Sequence, residues 1–390
     1  MRARRALLRC ACVALLGAAA GCTAATSTQT VSGKTLYLYV SAPASAAGSP
    51  EEQDVLYAEE LAFCQRFSVT TCKGGQLQGS LNGFTIILNP VVASKLSDNA
   101  RTAIKNSSAI AYLGEVVPGT SANSIGITNA QDVLQVSPTD TAAELTQSTP
   151  AVKDAPTKYY ENLTAYSRTF ARVVPTTAVE AQDVIKQMQA LKVKRLYVTG
   201  DNSEYGRTIG QAVTADASPS IVVTQSPTGA DAVFYAGSSP SGAVSTLNQA
   251  ASTNPKAKLF VPSALADQAF VSQLSAAAQH NLTVSSPGFV PGAQSSEAKK
   301  FVASFRRAYG HVPGTQAIFG YAAMNAVIDV LAQSGSAANS RSGMVRRFLA
   351  ISNLPSVLGP LSINGKGDTN IAAIVFSRVK AGRLVPFKAA

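Results

Sequence analysis

Tryptophan is absent from this chain of 390 residues, and histidine occurs only as His280 and His311. Two histidines argue against a multi-histidine metal centre and a histidine-based triad, leaving at most a single catalytic histidine. Both sit in polar stretches and read as surface loop residues. Charged residues are only 14% of the chain, and no long basic run or basic-aromatic face occurs, which argues against nucleic acid as a partner. Phosphate-loop and nucleophile-elbow spacings are missing as well. Five residues separate Gly359 from the Gly365-Lys366 pair, and Gly367 follows where Ser or Thr is required. Gly237–Gly242, GSSPSG, lacks the G-x-S-x-G spacing. No acid–base or nucleophilic constellation and no cofactor motif emerges, so the chain is expected to be neither an enzyme nor a cofactor carrier. No apolar run beyond the N-terminus reads as long enough to span a bilayer.

The start of the chain carries a targeting segment. Arg2, Arg4, Arg5 and Arg9 precede the apolar stretch Ala11–Ala20, and Gly21 and Cys22 follow. The terminal AAGC resembles a bacterial lipobox, with Ala19 in the usual leucine position, so residues 1–22 are expected to be a lipoprotein signal and Cys22 its lipidated residue. Residues 23–33 are small and polar and read as a flexible tether. Export to the outer face of a bacterial cytoplasmic membrane, anchored there by lipid, follows from this reading. The formal charge of +11 loses the four signal arginines, leaving about +7 on the exported chain. Cys10 and Cys12 leave with the signal. Cys64 and Cys72 then remain as an even pair in an oxidising compartment, eight positions apart, and are expected to form a disulfide. A metal or redox pair would want C-x-x-C spacing or a nearby histidine, and has neither.

The body is organised around Ser108–Thr146. Ala109–Leu113 is a short apolar run ending at Gly114, which suggests a buried strand. Glu115–Thr120 reads as a loop, Ser121 as an N-cap, Ala122–Ala130 as a helix, and Val133–Val136 as a second strand ending at SPTDT. In a parallel α/β sheet both loops lie at the carboxyl ends of strands, where such sheets bind ligands. Thr120, Ser121, Ser137, Thr139 and Thr141 supply hydroxyls there, beside a helix N-terminus suited to a carboxylate. The same hydroxyls also suit capping and turn formation.

Strand and helix alternate around this unit. Strands are expected at 34–40, 83–88, 194–199, 220–224, 232–235, 259–262 and 371–379. Helices are expected at 51–67, 97–105, 180–191, 207–216, 243–251, 297–309 and 319–333. Arg168–Val174 opens a second half, and Tyr159, Tyr160 and Tyr166 are expected to pack a connector. The fold class is α/β, with doubly wound parallel sheets.

Several phrases in this order carry a resemblance. YLGE…TSA…N…VLQVSPTDTAAELT, RTFARVVP, YVTGDNSEYG, FGYAAMNAVIDVL and VLGPLSINGKGD are together similar to type I periplasmic binding proteins, in particular the leucine/isoleucine/valine-binding branch that feeds ABC importers. The resemblance spans roughly residues 34–388. It implies two lobes joined by three crossovers: residues 34–165 plus 291–366 in lobe 1, and 166–290 plus 367–390 in lobe 2. The crossovers would lie near 165–171, 287–292 and 364–371, with Gly365 and Gly367 at a hinge. It further implies ligand contacts from Thr120 or Ser121, from Ser137, Thr139 and Thr141 of the SPTDT turn, from Tyr205, and from Ser239 and Ser263. In that family an acid commonly stands where this chain has Ser263; Asp140, Asp201 or Asp267 are the substitutes on offer. QLQGSLNG stands where an N..GG..G phrase is usual. The implied function is capture of a small polar or carboxylate-bearing solute by a monomer and delivery to an ABC permease. The alternative is a ligand-sensing receptor or accessory lipoprotein of the same fold, without transport.

Overall fold

A computed structural model describes residues 30–44, 49–72, 74–161, 163, 167–290 and 295–390. The signal, Cys22, residues 23–29 of the tether, Tyr166 and residues 291–292 of the second crossover lie outside the described residues.

β1 (Thr35–Pro43) buries Leu36, Leu38 and Val40 on one face and Tyr39 on the other. Burial on both faces marks a central strand of a parallel sheet. After it come α1 (Pro50–Phe67), β2 (Leu77–Leu81), β3 (Phe84–Ala93), α2 (Leu96–Lys105), β4 (Ala109–Leu113), α3 (Ile125–Asn129), β5 (Leu134–Ser137) and β6 (Phe170–Arg172). These strands form one sheet in the order β2-β3-β1-β4-β5-β6, parallel except for β2. The chain continues through α4 (Thr177–Ala190), β7 (Arg195–Gly200), α5 (Glu204–Ala217), β8 (Val222–Thr224), β9 (Ala232–Ala236), α6 (Pro240–Thr253), β10 (Lys258–Val261), α7 (Gln268–Ser272), α8 (Ala276–Asn281) and β11 (Leu282–Pro287). It then adds α9 (Ser296–Tyr309), α10 (Ala317–Ser334) and α11 (Arg341–Leu349) to the first lobe, and β12 (Ile374–Lys380) and β13 (Arg383–Ala389) to the second sheet. That sheet runs β13-β12-β11-β10-β9-β7-β8, with β12 antiparallel to both of its neighbours and the other pairs parallel.

Helices cover both faces of each sheet. α1, α9, α10 and α11 pack one face of the first sheet, with α2 on the other. α4 and α5 pack one face of the second, with α6, α7 and α8 on the other. α10 is long and apolar enough by composition to cross a membrane, contrary to the sequence reading. It nevertheless lies in the first core, with Phe319, Ala323, Met324 and Val327 fully buried.

Several expectations are corrected. Phe170–Arg172, read as the opening of the second lobe, is the edge strand of the first sheet, paired in parallel with β5. Its side chains explain the ambiguity: Ala171 belongs to the first lobe's core and Phe170 to the cluster under α4 and α5. The helix expected over 122–130 is a 3-10 turn, Thr120–Asn123, followed by the short α3. Ser121 does not cap it, because its hydroxyl accepts from the Glu115 amide at 3.1 Å. QLQGSLNG forms β2 and the turn of a hairpin. Asn82 and Gly83 both have positive φ, +52° and +76°, the signature of a tight hairpin turn. Gly79 in β2 leaves room for the Phe67 ring, which a Cβ there would meet at 2.2 Å. His280 lies in the last turn of α8, not in a loop.

The lobes share an apolar cluster. Ile125, Ala142, Leu145, Tyr159 and Tyr160 join Val184, Tyr205 and Ile209 in it. Tyr159 donates to Glu204 at 2.7 Å and Tyr160 to the Leu145 carbonyl at 3.3 Å, so both pack this junction.

Candidate functional site

The loops after β4 and β5 face those after β7, β9 and β10 across the gap between the lobes. Most of the hydroxyls expected to meet a ligand are held by their own loops. Thr120 donates to the Val117 carbonyl, Ser137 to that of Glu115, and Thr139 to that of Val116, each at 2.6 Å. Asp140 accepts from the amides of Gly119, Ser121 and Ala142 at 2.6, 2.8 and 3.1 Å. Burial pushes its carboxyl up, against the opposing pull of Arg172 and these amides. Ser239 caps α6 by accepting from the Gly242 amide, and its own amide donates to Asp201 at 2.7 Å. Asp201 also accepts from Ser203 and from the Ser238 amide. Burial would raise its pKa, but these bonds outweigh it and lower the value.

Thr141, Tyr205 and Ser263 meet directly. The Ser263 hydroxyl lies 3.1 Å from that of Thr141 and 3.2 Å from that of Tyr205. Behind it stands Glu180 in the first turn of α4. Glu180 accepts from the Ser263 amide at 2.7 Å, the Ser263 hydroxyl at 2.8 Å and the Ser285 hydroxyl at 2.6 Å. A serine hydroxyl has one proton and two lone pairs. With Glu180 ionised, that proton goes to it, so Thr141 and Tyr205 then both donate into Ser263 and its capacity is filled. Burial raises Glu180 to about 7, although the serine bonds oppose the shift.

Arg172, fully buried at the end of β6, fixes this loop from behind. It donates to the carbonyls of Asp140 and Ala142 at 2.7 and 2.8 Å and to the Thr146 hydroxyl at 2.9 Å. Its Nε forms an ion pair with Asp368 at 3.1 Å. Asp368 also accepts from Thr146 and Gln147 at 2.7 and 2.8 Å. Gly367, with φ +95°, accepts from the Arg172 amide at its carbonyl; a Cβ there would meet the Phe170 carbonyl at 2.3 Å. Gly365 faces open space.

Beside the hydroxyl junction lies a cavity of about 230 Å³ between the lobes. Ser49, Glu51, Glu52 and Val116–Pro118 line it from the first lobe, and Ser238 and Ser263–Asp267 from the second. Of the three aspartates offered in place of the usual acid, Asp267 alone lines this space. Sequence reasoning missed Glu51 and Glu52 as cleft residues and read them only as the start of the helix over 51–67. A usable signal was present: a helix following a strand's carboxyl end starts at the same edge of the sheet, so its first turn also faces the cleft. Burial raises both to about 7, helped by Asp54 for Glu51 and by Asp267 for Glu52. Nothing in the sequence distinguished Glu180 from any other acid in a first helical turn. Among the described residues, no group of three or more His, Cys, Asp or Glu side chains is arranged to hold a metal.

Cys64 and Cys72 are joined by a disulfide, with Cα atoms 5.8 Å apart.

Residues 214–383 match the family model described as periplasmic binding protein. No curated protein matches the chain. The leucine-binding protein LivK of Thermotoga maritima is 17% identical, with a TM-score of 0.73 over 91% of this chain and 98% of that one. The branched-chain amino acid binding protein LivJ of Streptococcus pneumoniae, solved with isoleucine, is 16% identical, with a TM-score of 0.69 over 92% of this chain and 99% of that one. A solute-binding protein of R. palustris, solved with benzoate, is 17% identical, with a TM-score of 0.64 over 91% and 96%. The chain has the type I periplasmic binding protein fold, with two α/β lobes.

Proposed function

We propose that this chain is an exported solute-binding lipoprotein that captures a small polar solute between its lobes and hands it to an ABC import permease. The observation that carries the reading is the interlobe cavity, walled by strand-end loops of both sheets and by the first turn of α1. A solute there touches both lobes at once, so its binding free energy favours their closed arrangement. Lobe 1 is assigned residues 34–172 plus 291–366, because Ser167 and Thr169 already bond first-lobe residues ahead of β6. Lobe 2 takes 173–290 and 367–390. The connection from β6 to α4, that from β11 to α9, and the segment around Gly365 and Gly367 serve as the three crossovers. Ser263 is part of the cavity wall, and Thr141 and Tyr205 support it from behind. Thr120, Ser121, Ser137, Thr139 and Ser239 shape the loops that support it.

Cys22 carries the anchor, so Cys22→Ala moves the protein out of the membrane fraction or leaves it unprocessed, and a fatty-acid analogue no longer labels it. Labelling of the variant contradicts the anchor. For transport, cells lacking the chain are compared with wild type for uptake of a solute that raises the melting temperature of the purified protein. Lost uptake supports delivery to a permease. Unchanged uptake with a changed transcriptional or signalling response to the same solute supports a sensing receptor instead.

A further inference from the structure

We propose that the interlobe cavity selects an amphipathic organic cation, an amine or quaternary ammonium carrying an apolar body. This inference rests on the solute-binding reading and specifies its ligand. Among the described residues, the charged side chains lining the cavity are Glu51, Glu52 and Asp267, drawn from both lobes, and no Lys, Arg or His lines it. Glu51 is tied to the Gln316 amide at 2.5 Å, and Asp267 to the Ala269 amide at 2.5 Å. Glu52 differs: the Ser49 hydroxyl beside its carboxyl lowers the pKa, but its Oε2 is shielded from solvent and has no hydrogen-bond partner. A shielded carboxylate oxygen without a donor is costly, and a cationic N–H or an ammonium methyl group supplies the missing partner. Burial and the facing Asp267 already hold this carboxyl at about 7, so an entering cation also restores its ionised form. A carboxylate solute would instead sit among like charges.

The apolar body has a place to go. A second cavity of about 660 Å³ also has Glu51 and Ala266 in its wall. Phe289, Val302, Ile318 and Leu384 make much of its surface. Its basic groups are Arg383 and His311, and His311 is paired with Asp54 at 2.7 Å. A cationic head at Glu52 and an apolar tail over Ile318 and Leu384 therefore match the polarity of the two adjoining spaces.

The test is calorimetric titration of the full exported chain with four probes of similar size: 3-phenylpropylamine, 3-phenylpropanamide, 3-phenylpropanoate and leucine. The amine is expected to bind about tenfold or more tighter than the other three. Glu52→Gln and Asp267→Asn, one in each lobe, should each weaken the amine by about tenfold while leaving the amide unchanged. Circular dichroism confirms that each variant folds, and either variant alone suffices for the comparison. If the acid, the zwitterion or the amide binds as tightly as the amine, the cation assignment is overturned while solute binding stands. If none of the four binds and a broad metabolite screen also leaves the melting temperature unmoved, both the assignment and the solute-binding reading fall.

Discussion

Thr141 of the first lobe and Ser263 of the second bring their hydroxyl oxygens to 3.1 Å across the junction of the lobes. With Glu180 ionised, it takes the only proton Ser263 has, and Thr141 is then the donor in this bond. Thr141→Val keeps the shape and removes the donor, and Tyr205→Phe does the same from the other side. Each is expected to lower stability by about 0.5–1.5 kcal/mol, the net worth of one buried hydrogen bond. Urea unfolding measures it. No loss from either variant would mean that the junction does not hold the lobes.

The Arg172–Asp368 pair links β6 to the segment that carries Gly367. Both charges are buried, so removing one strands the other. Arg172→Met and Asp368→Asn are each expected to cost about 3–5 kcal/mol. A loss under about 1 kcal/mol, the range of an exposed pair, would show that water reaches the junction.

Stability should fall as pH rises through the neutral range. Burial lifts Glu51, Glu52, Glu60, Glu115, Glu144 and Glu180 from the ordinary 4.5 to about 7 each. The folded chain therefore binds more protons than the unfolded chain between those values. That contribution is fully present below pH 4.5 and is lost as pH climbs through 7. Asp201 and Glu204 are shifted down, so their opposite contribution changes only below the ordinary carboxylate range. The urea midpoint should be higher at pH 5 than at pH 8, and the reverse order contradicts the burial of these glutamates.

Reducing the Cys64–Cys72 bond should cost about 2–3 kcal/mol, given its short loop. Mass spectrometry of non-reduced protein should find both thiols absent. Free thiols in exported material would contradict the bond.

Much of the fold was legible because each buried parallel strand is a short apolar run that ends at a small polar loop. Ala109–Leu113 and Ala232–Ala236 are fully buried and read directly. The elements that escaped are those whose polar residues have tertiary partners. β11 carries Ser285 and Ser286 into the interior, and Ser285 is satisfied by Glu180, which no local pattern reveals. α11 begins Arg-Ser-Gly, yet Arg341 is buried and donates to the Ala109 carbonyl at 2.8 Å. At the site, the sequence pointed to the strand-end loops and to Thr141, Tyr205 and Ser263. It could not reveal that these three would meet one another, or that Glu180 would stand behind them, because these contacts join segments far apart in the chain.

The central claim is that a solute sits between the lobes. Soaking or co-crystallising the chain with a solute that raises its melting temperature tests this most directly. Density is expected in the cavity bounded by Glu52, Val117, Ser238 and Ser263. Density confined to the first lobe's outer pocket beside Phe301, Tyr321 and Val357, with the interlobe cavity empty, would contradict it.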